Sequence, residues 1–317
     1  MQKTEIAWTN YSSNPLKYRT ADGKVVWACI HKSDGCRFCY SEKIALRFKR
    51  GAEFTAQNMK GLKPFLDEKE LHKMLTYKPA SGKMCFLGDM TDIAGEWVPM
   101  GLVMQLFAVF ALRGNVQWQL LTKRPERLRD MLTANGVHEW VLESARKIGA
   151  GTIFPTLQWP LPNVWLGVSC ENQDTADERI PLLLQTPAAV RFVSYEPALG
   201  PVDFRPYLVR TGLDPDGCPE IQSWLLRWLI IGGESGPNAR PFNLQWARDA
   251  IAQCRAVEVP CFMKQAGARP ELTRYTETDY GTEFFKLHGN KTIRLKDPKG
   301  GDPQEWPEDL RVREFPR

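Results

Sequence analysis

Three cysteines lie close together near the start of the chain. Cys29, Cys36 and Cys39 follow the spacing C-x6-C-x2-C, and Tyr40 comes directly after the last of them. The segment Met1–Asn10 lacks the basic and apolar regions of a secretory signal, so a shared metal or iron-sulfur cluster explains three neighbouring thiols better than disulfides do. A closed structural zinc site takes four protein ligands, whereas three leave one coordination position open. The spacing therefore predicts a metal centre that can bind a further molecule.

A four-ligand zinc site is the alternative. His31 lies two residues after Cys29, and with the three cysteines it completes a set typical of a zinc knuckle. Against this, no small independent module surrounds the motif. The other histidines are far apart, and the other cysteines have no pair spacing, so both groups are predicted to be ordinary core or surface residues: His72, His138 and His288, and Cys85, Cys170, Cys218, Cys254 and Cys261.

Short apolar runs alternate with helical patterns along the 317 residues, which is typical of a parallel α/β fold. The predicted strands are 84–88, 118–122, 164–169, 191–195, 228–232 and 260–264. The predicted helices are 41–50, 68–76, 97–113, 125–133, 137–148, 173–185 and 244–257. No apolar run is long enough to span a bilayer. From Thr273 onward charge, glycine and proline increase, which predicts a domain over 1–272 and a C-terminal extension over 273–317 around a last strand at 291–295.

Polar and ionisable residues follow each predicted strand. They are Asp89 and Asp92, then Lys123 and Arg124, then Ser169, Glu171 and Asn172, then Glu196, then Glu234 and Ser235, and finally Lys264 and Gln265. Any one of them is as easily a helix cap or a solvated loop residue. Because the carboxyl ends of parallel strands converge on one face, where ligands bind, the set as a whole predicts a functional site there.

Several strings of residues resemble the phage-associated three-cysteine-motif proteins, a largely uncharacterised family that is similar to radical S-adenosylmethionine (SAM) enzymes. They are Trp8–Asn10, Asn14–Pro15, the cysteine motif with Tyr40, Leu121–Pro125, Pro162–Ser169, Arg191–Ser194, Glu196–Pro197, Gly232–Gly236 and Phe262–Gln265. The resemblance covers nearly the whole chain. It implies a partial (β/α) barrel of parallel strands, radical-SAM-like, with the C-terminal extension packed on the barrel.

The resemblance also implies a cofactor chemistry. Three thiolates, those of Cys29, Cys36 and Cys39, would hold a [4Fe-4S] cluster and leave its fourth iron to chelate SAM. An electron from an external donor would then cleave SAM to methionine and a 5′-deoxyadenosyl radical. By the same resemblance Tyr40 would lie near the adenine, and Gly88 with Asp89 would receive the SAM amino group. Ser169, Glu171 or Glu196 would contact the ribose or the methionine. The common radical-SAM spacing is C-x3-C-x2-C, and the first loop of this chain is three residues longer.

The partner is predicted from charge and from the phage resemblance. The chain has 42 Lys and Arg against 37 Asp and Glu, a net charge of +5 that permits a nucleic-acid partner without requiring one. Lys123, Arg124 and Lys264, with Glu234, are the predicted substrate-binding residues, whereas the basic residues of 41–78 are predicted to lie away from the site. The resulting hypothesis is a cytoplasmic radical SAM enzyme that repairs or modifies a nucleic acid or nucleotide. A non-catalytic protein that binds nucleic acid and is stabilised by zinc or a cluster is the alternative.

Overall fold

The computed structural model describes residues 1–149, 156–213, 219–276 and 286–316, so the predicted core thiol Cys218 lies outside the described residues. The strands are β1 Gln2–Lys3, β2 Tyr11–Ser13, β3 Leu16–Arg19, β4 Val25–Val26, β5 Lys63–Leu66, β6 Lys83–Leu87, β7 Val116–Thr122, β8 Val164–Ser169, β9 Val190–Tyr195, β10 Val209–Leu213, β11 Pro219–Trp224, β12 Trp228–Gly232, β13 Phe242–Asn243, β14 Cys261–Gln265, β15 Pro270–Thr276 and β16 Lys286–Thr292. The helices are α1 Tyr40–Arg47, α2 Ala56–Met59, α3 Glu68–Thr76, α4 Met100–Leu112, α5 Pro125–Thr133, α6 Val137–Ile148, α7 Gln173–Leu184, α8 Arg205–Leu208 and α9 Leu244–Ala256. The prediction of a mixed α/β fold is confirmed.

Two compact units divide the chain. The first comprises Met1–Ser169 and Arg179–Phe192, and the second comprises Cys170–Glu178 and Val193–Arg317. The chain passes between the units three times, after Ser169, after Glu178 and within β9 after Phe192.

The first unit contains a mostly parallel sheet in the order β1-β2-β6-β7-β8-β9. Its parallel pairs place Tyr11 opposite Cys85, Cys85 opposite Trp118, and Leu120 opposite Leu166. The residues of β8 are all buried, as expected for a strand that is covered on both faces. Helix α4 is apolar along most of its length, and its segment Leu106–Phe110 is fully buried. The strands β4, β3 and β5 form a separate antiparallel sheet.

In the second unit the strands β9-β12-β14 continue this sheet order, and Ile230 of β12 lies parallel and opposite to Phe262 of β14. Helix α9 begins where predicted, because the Asn243 side chain accepts a hydrogen bond from the backbone N–H of Gln245 (2.9 Å). The unit also contains the hairpin β10-β11 and the sheet β13-β15-β16. The last of these strands is Lys286–Thr292, where the sequence predicted 291–295.

Candidate functional site

The three cysteines lie on one loop between β4 and α1. A turn of 3-10 helix, Asp34–Cys36, brings the chain to Cys39, which is the N-cap residue of α1. The backbone N–H of Cys39 donates to the carbonyl of Cys36 (3.1 Å), so one turn joins these two cysteines. The thiols of Cys29 and Cys39 are near enough for their charges to interact, and so are those of Cys36 and Cys39. Local turns therefore hold the three cysteines on a single loop, with the Cys39 thiol near each of the other two.

Two of these thiols are partly buried against an apolar cluster. Cys29 and Cys39 pack against the core formed by Ala45, Phe54 and Met90. Burial, with the nearby negative charge of Asp92, raises the pKa of the Cys29 thiol to about 12. Burial also raises the pKa of Cys39, although backbone N–H groups at the start of α1 donate to its sulfur. Both thiols are therefore protonated at neutral pH, and a bound metal must displace their protons.

The donor set fits an iron-sulfur cluster in its chemistry. Thiolates are the soft ligands that such clusters and zinc select. Within the described residues, no group of three His, Cys, Asp or Glu side chains is drawn together closely enough to hold a metal ion. The loop thus presents three sulfur donors that are not assembled into a ligand set.

The His31 imidazole is held by a carboxylate. Its Nε2 lies 3.3 Å from the Glu42 carboxylate, and the other oxygen of that carboxylate accepts a hydrogen bond from the Phe54 N–H (2.6 Å). A histidine that binds zinc commonly keeps such a carboxylate on one ring nitrogen and binds the metal through the other. The pair is therefore compatible with a zinc site that uses His31 Nδ1 as well as with three thiol ligands alone.

The carbonyl groups of the two residues that flank Cys29 are held by side chains. Before it, the carbonyl of Ala28 accepts a hydrogen bond from the Thr91 hydroxyl (2.6 Å). After it, the carbonyl of Ile30 accepts one from Arg124 Nη2 (2.8 Å). The position of Cys29 is therefore fixed by residues that follow β6 and β7, and not by its own loop alone.

The start of α1 is tied to the end of β6. The hydroxyls of Tyr40 and Ser41 both donate to the backbone carbonyl of Asp89, at 2.9 and 2.5 Å. The Asp89 carboxylate accepts a hydrogen bond from the Asn14 amide, whose oxygen in turn accepts from the Met90 N–H (3.1 Å). Helix, strand end and cysteine loop thus form one hydrogen-bonded unit. Burial raises the pKa of the Asp89 carboxyl above its usual value.

Gly88 occupies a position that only glycine fills easily. Its φ is +79°, in the left-handed region, and a Cβ there would lie 2.7 Å from Cδ1 of Ile93. Its N–H donates to the carbonyl of Ser13 (3.0 Å) on the neighbouring β2. The predicted pair Gly88 and Asp89 therefore forms a tight turn directly beside the cysteine loop.

Arg124 has a role different from the predicted phosphate contact. Its guanidinium is buried and donates to Glu96 (2.9 Å), to Asp92 (3.2 Å) and to the Ile30 carbonyl, and it stacks on Trp97 at 4.7 Å. Its hydrogen-bonding capacity is therefore used within the protein. Lys123, its neighbour, is half-buried, and its backbone N–H donates to Asp92 (3.1 Å). Arg124 is a positioning residue for the cysteine loop.

Asp92 and Asn14 are the site residues whose roles sequence reasoning missed. Besides Arg124 and Lys123, the Asp92 carboxylate accepts hydrogen bonds from the Thr122 hydroxyl (2.7 Å) and the Ala94 N–H (3.0 Å). The sequence analysis named both residues without these roles. Asp92 follows a predicted strand, and Asn14 belongs to a string on which the family resemblance rests. Their partners lie 30 and 75 positions away, at Thr122 and Asp89. No local pattern marks contacts of that kind.

In the second unit, Glu196 and Lys264 form a pair at the ends of β9 and β14. Lys264 Nζ lies 3.1 Å from Glu196 Oε1, and the Ser194 hydroxyl donates to Oε2 (3.0 Å). A Cβ on Gly232 would collide with the Glu196 carboxylate, so glycine makes room for it. Lys264 is thus paired with a carboxylate. These two predicted strand-end residues therefore lie in contact.

Three further predicted strand-end residues, Glu234, Ser169 and Glu171, are buried. Glu234 is held by Arg240 through two parallel contacts, Nη2 to Oε1 (2.7 Å) and Nε to Oε2 (3.0 Å). This bidentate pair makes Glu234 a structural clamp and not an available substrate ligand. Ser169 of the first unit and Glu171 of the second are buried, and the Glu171 carbonyl accepts a hydrogen bond from the Leu199 N–H (2.8 Å).

Residues 3–292 match a family model described as a protein of unknown function, DUF5131. The chain belongs to the DUF5131 family. No curated protein and no solved structure matches it. The matched range of DUF5131 includes the cysteine loop, its Asp92 and Arg124 supports, and the Glu196–Lys264 pair. In the described part of the chain, the helices are too short or too polar to cross a membrane.

Proposed function

We propose that this protein is a radical SAM enzyme whose [4Fe-4S] cluster is held by Cys29, Cys36 and Cys39 and whose substrate is a nucleic acid or nucleotide. The observation that supports it most directly is the double support of Cys29, by Thr91 on one side and Arg124 on the other. Side chains that fix a ligand's backbone are typical of metal sites that must keep one geometry. A partial (β/α) barrel of the radical-SAM type is part of the proposal, because β6, β7 and β8 are parallel and are followed by helices.

The cluster, when bound and reduced by an external donor, supplies the electron that cleaves SAM. Cys29, Cys36 and Cys39 hold it, and each must lose a proton to do so. The Gly88 turn and Asp89 lie beside the loop and are proposed to receive the SAM amino group. Tyr40, whose hydroxyl is already bonded to the Asp89 carbonyl, is proposed to offer its half-exposed ring to the adenine. Ser169, Glu171 and Glu196 remain predicted SAM contacts, on the resemblance alone.

A cytoplasmic location belongs to the same proposal. The cysteines that the structure describes are all free thiols, including the buried Cys254 and Cys261 of the second unit. Free thiols persist in a reducing compartment, and an oxygen-sensitive cluster needs the same conditions.

Anaerobic purification followed by reconstitution with iron and sulfide tests the proposal. We expect a brown protein with about four irons per chain that forms 5′-deoxyadenosine from SAM after reduction, even without a substrate. Replacing Cys29, Cys36 or Cys39 singly by Ala should abolish iron binding, whereas Cys85→Ala, at a buried thiol outside the loop, should retain it. A colourless, zinc-loaded protein, or full iron content in any of the three loop variants, would contradict the proposal.

A further inference from the structure

Helix α1 carries an exposed basic surface next to the cysteine loop. Residues 31–50 contain six Lys and Arg and two Asp and Glu, a net charge of +4 in a chain whose total is +5. On α1 itself, Tyr40, Lys43 and Arg47 are exposed at intervals of three and four residues, so they share one face. Ser41 and Ala45 lie on the opposite, buried face. We call the exposed set the α1 face: Arg37, Tyr40, Lys43, Arg47, Phe48, Lys49 and Arg50.

Aromatic rings are interleaved with these charges. Phe48 is 61% exposed and Tyr40 is 49% exposed, which is unusual for rings of this size. The Arg47 guanidinium lies 5.7 Å from the Phe48 ring centre. The Phe38 ring lies near two cations, Arg37 at 5.5 Å and Lys43 at 5.3 Å. Exposed rings beside cations are the combination that binds stacked bases and the phosphates that join them.

The charges of the α1 face remain available to a ligand. Among the residues that the structure describes, Lys43, Arg47, Lys49 and Arg50 form no ion pair with a carboxylate. The predicted phosphate ligands differ, because Arg124 is bonded to Asp92 and Glu96, and Lys264 to Glu196. Within the described residues, these four cations of the α1 face thus carry charge that no carboxylate offsets, whereas Arg124 and Lys264 at the strand ends are paired.

We infer that the α1 face binds a single-stranded nucleic acid, with Lys43 and Arg47 contacting phosphates and Phe48 stacking on a base. This rests on the proposed function for the identity of the substrate, and it adds the surface that receives it. A single strand fits better than a duplex, because an exposed ring stacks directly on an unpaired base, whereas a duplex must first be unstacked at a cost of a few kcal/mol per step. An anionic membrane fits less well, because the exposed apolar residues of α1 are separated by charges and do not form a continuous apolar face.

The position of α1 gives this surface a functional consequence. The helix begins at Cys39 and its first residue, Tyr40, is tied to Asp89 at the end of β6. At its other end, the Arg50 carbonyl accepts a hydrogen bond from the Trp27 N–H (2.8 Å), two residues before Cys29. A single-stranded nucleic acid bound along the α1 face therefore passes directly beside the cysteine loop.

Fluorescence anisotropy with labelled single-stranded DNA and RNA oligonucleotides, titrated over a series of salt concentrations, tests the inference. Lys43→Ala and Arg47→Ala should each weaken binding and reduce the slope of log affinity against log salt by about 0.7. The matched controls Lys69→Ala and Lys78→Ala remove exposed lysines outside the α1 face and should leave the slope unchanged. Circular dichroism verifies that each variant is folded.

The aromatic contact has a separate signature. Phe48→Ala should weaken binding by roughly 5- to 100-fold with an unchanged salt slope, because stacking does not release counterions. Phe48→Trp should restore the affinity. A loss that neither Trp nor Tyr restores would show that Phe48 does not stack on a base.

Two outcomes overturn the inference. One is that the wild-type protein binds no single-stranded oligonucleotide at low salt, whether or not it binds vesicles that contain anionic lipids. The other is oligonucleotide binding that the double variant Lys43→Glu with Arg47→Glu leaves unchanged. Measuring 5′-deoxyadenosine formation in the same samples separates the two proposals. If binding depends on the α1 face but SAM is not cleaved, the radical SAM assignment is wrong and this inference stands. If SAM is cleaved but binding does not depend on the α1 face, this inference is wrong and the radical SAM assignment stands.

Discussion

At the scale of single residues, burial decides what each side chain of the cysteine loop can do. Cys29, Cys39 and Asp89 all lie in surroundings that disfavour their charged forms. Arg124 is charged in the same surroundings because Asp92 and Glu96 compensate it. The loop and its supports thus combine the protonated thiols of Cys29 and Cys39, the Asp89 carboxyl with its raised pKa, and Arg124, whose charge is paired with two carboxylates.

Asp89→Asn should stabilise the protein at neutral pH. Burial raises the folded-state pKa of Asp89, so ionising this carboxyl costs more in the folded protein than in the unfolded chain. Below the unfolded-state pKa of about 3.9 the carboxyl is protonated in both states and has no such cost. The stability of wild type relative to Asp89→Asn should therefore fall as pH rises from about 4 through the folded-state pKa. The Asn14 hydrogen bond is kept, because an amide oxygen still accepts it. Urea unfolding of both proteins across this range measures the difference.

The control for this experiment is Glu126→Gln, at an exposed carboxylate in the first turn of α5. It should leave the pH profile parallel to that of wild type. If the Asp89→Asn profile is parallel too, Asp89 ionises in the folded protein as freely as in the unfolded chain.

At the scale of elements, the cysteine loop depends on the ends of strands that lie far away in sequence. The turn after β6 supplies Thr91 and the Asp89 carbonyl, and the start of α5 supplies Arg124. These polar ties add to the apolar packing of Cys29, Cys39 and Ala45 and link the loop and α1 to the strand ends. Breaking one tie should disturb the loop before it disturbs the sheet.

Arg124→Gln should destabilise the protein by about 3–5 kcal/mol, because it leaves Asp92 buried without its counter-charge. The side chains of this pair are 5% and 9% exposed. Arg129→Gln, which removes the partner of the exposed Asp130, should cost about 0–1 kcal/mol. Urea unfolding compares the two, and hydrogen exchange of residues 29–47 reports the loop. An Arg124→Gln loss as small as that of Arg129→Gln would contradict the role assigned to Arg124.

At the scale of the whole molecule, the C-terminal segment completes the second unit. Strand β14 is the last in its sheet order, and Arg313 forms an antiparallel bridge with its Phe262. The Met263 N–H donates to the Val312 carbonyl (2.8 Å), and the Trp228 indole donates to the Glu314 carbonyl (2.9 Å). The segment therefore covers the open edge of a sheet, where unpaired backbone groups would otherwise invite association with another chain.

Removing residues 312–317 should lower the thermal midpoint and promote aggregation. The deletion exposes the edge of β14 and removes Phe315, whose ring packs at 5.2 Å from that of Phe262. Light scattering during a thermal ramp measures both effects. Phe315→Ala keeps the backbone pairing, so it should lower the midpoint with less aggregation. A truncated protein that melts and scatters like wild type would show that this edge needs no cover.

Much of the regular structure was determined by the sequence alone. Strands β8 and β12 and helices α3, α5 and α6 have the bounds that were predicted, because an apolar run or an amphipathic period is a local property. The short strands β1–β5 were not predicted, since two to four residues of mixed character become strands only through distant partners such as the pairing of Tyr11 with Cys85.

The candidate site divides in the same way. Sequence determined the three cysteines, because their spacing is local and their chemistry belongs to the residue type. Only the tertiary structure decided the state of the charges: Arg124 and Glu234 are bonded within the protein, whereas the basic residues of α1, which the sequence placed away from the site, stand beside the cysteine loop. The reason is physical. A charged side chain looks the same in sequence whether solvent or a carboxylate faces it, and folding alone chooses between them.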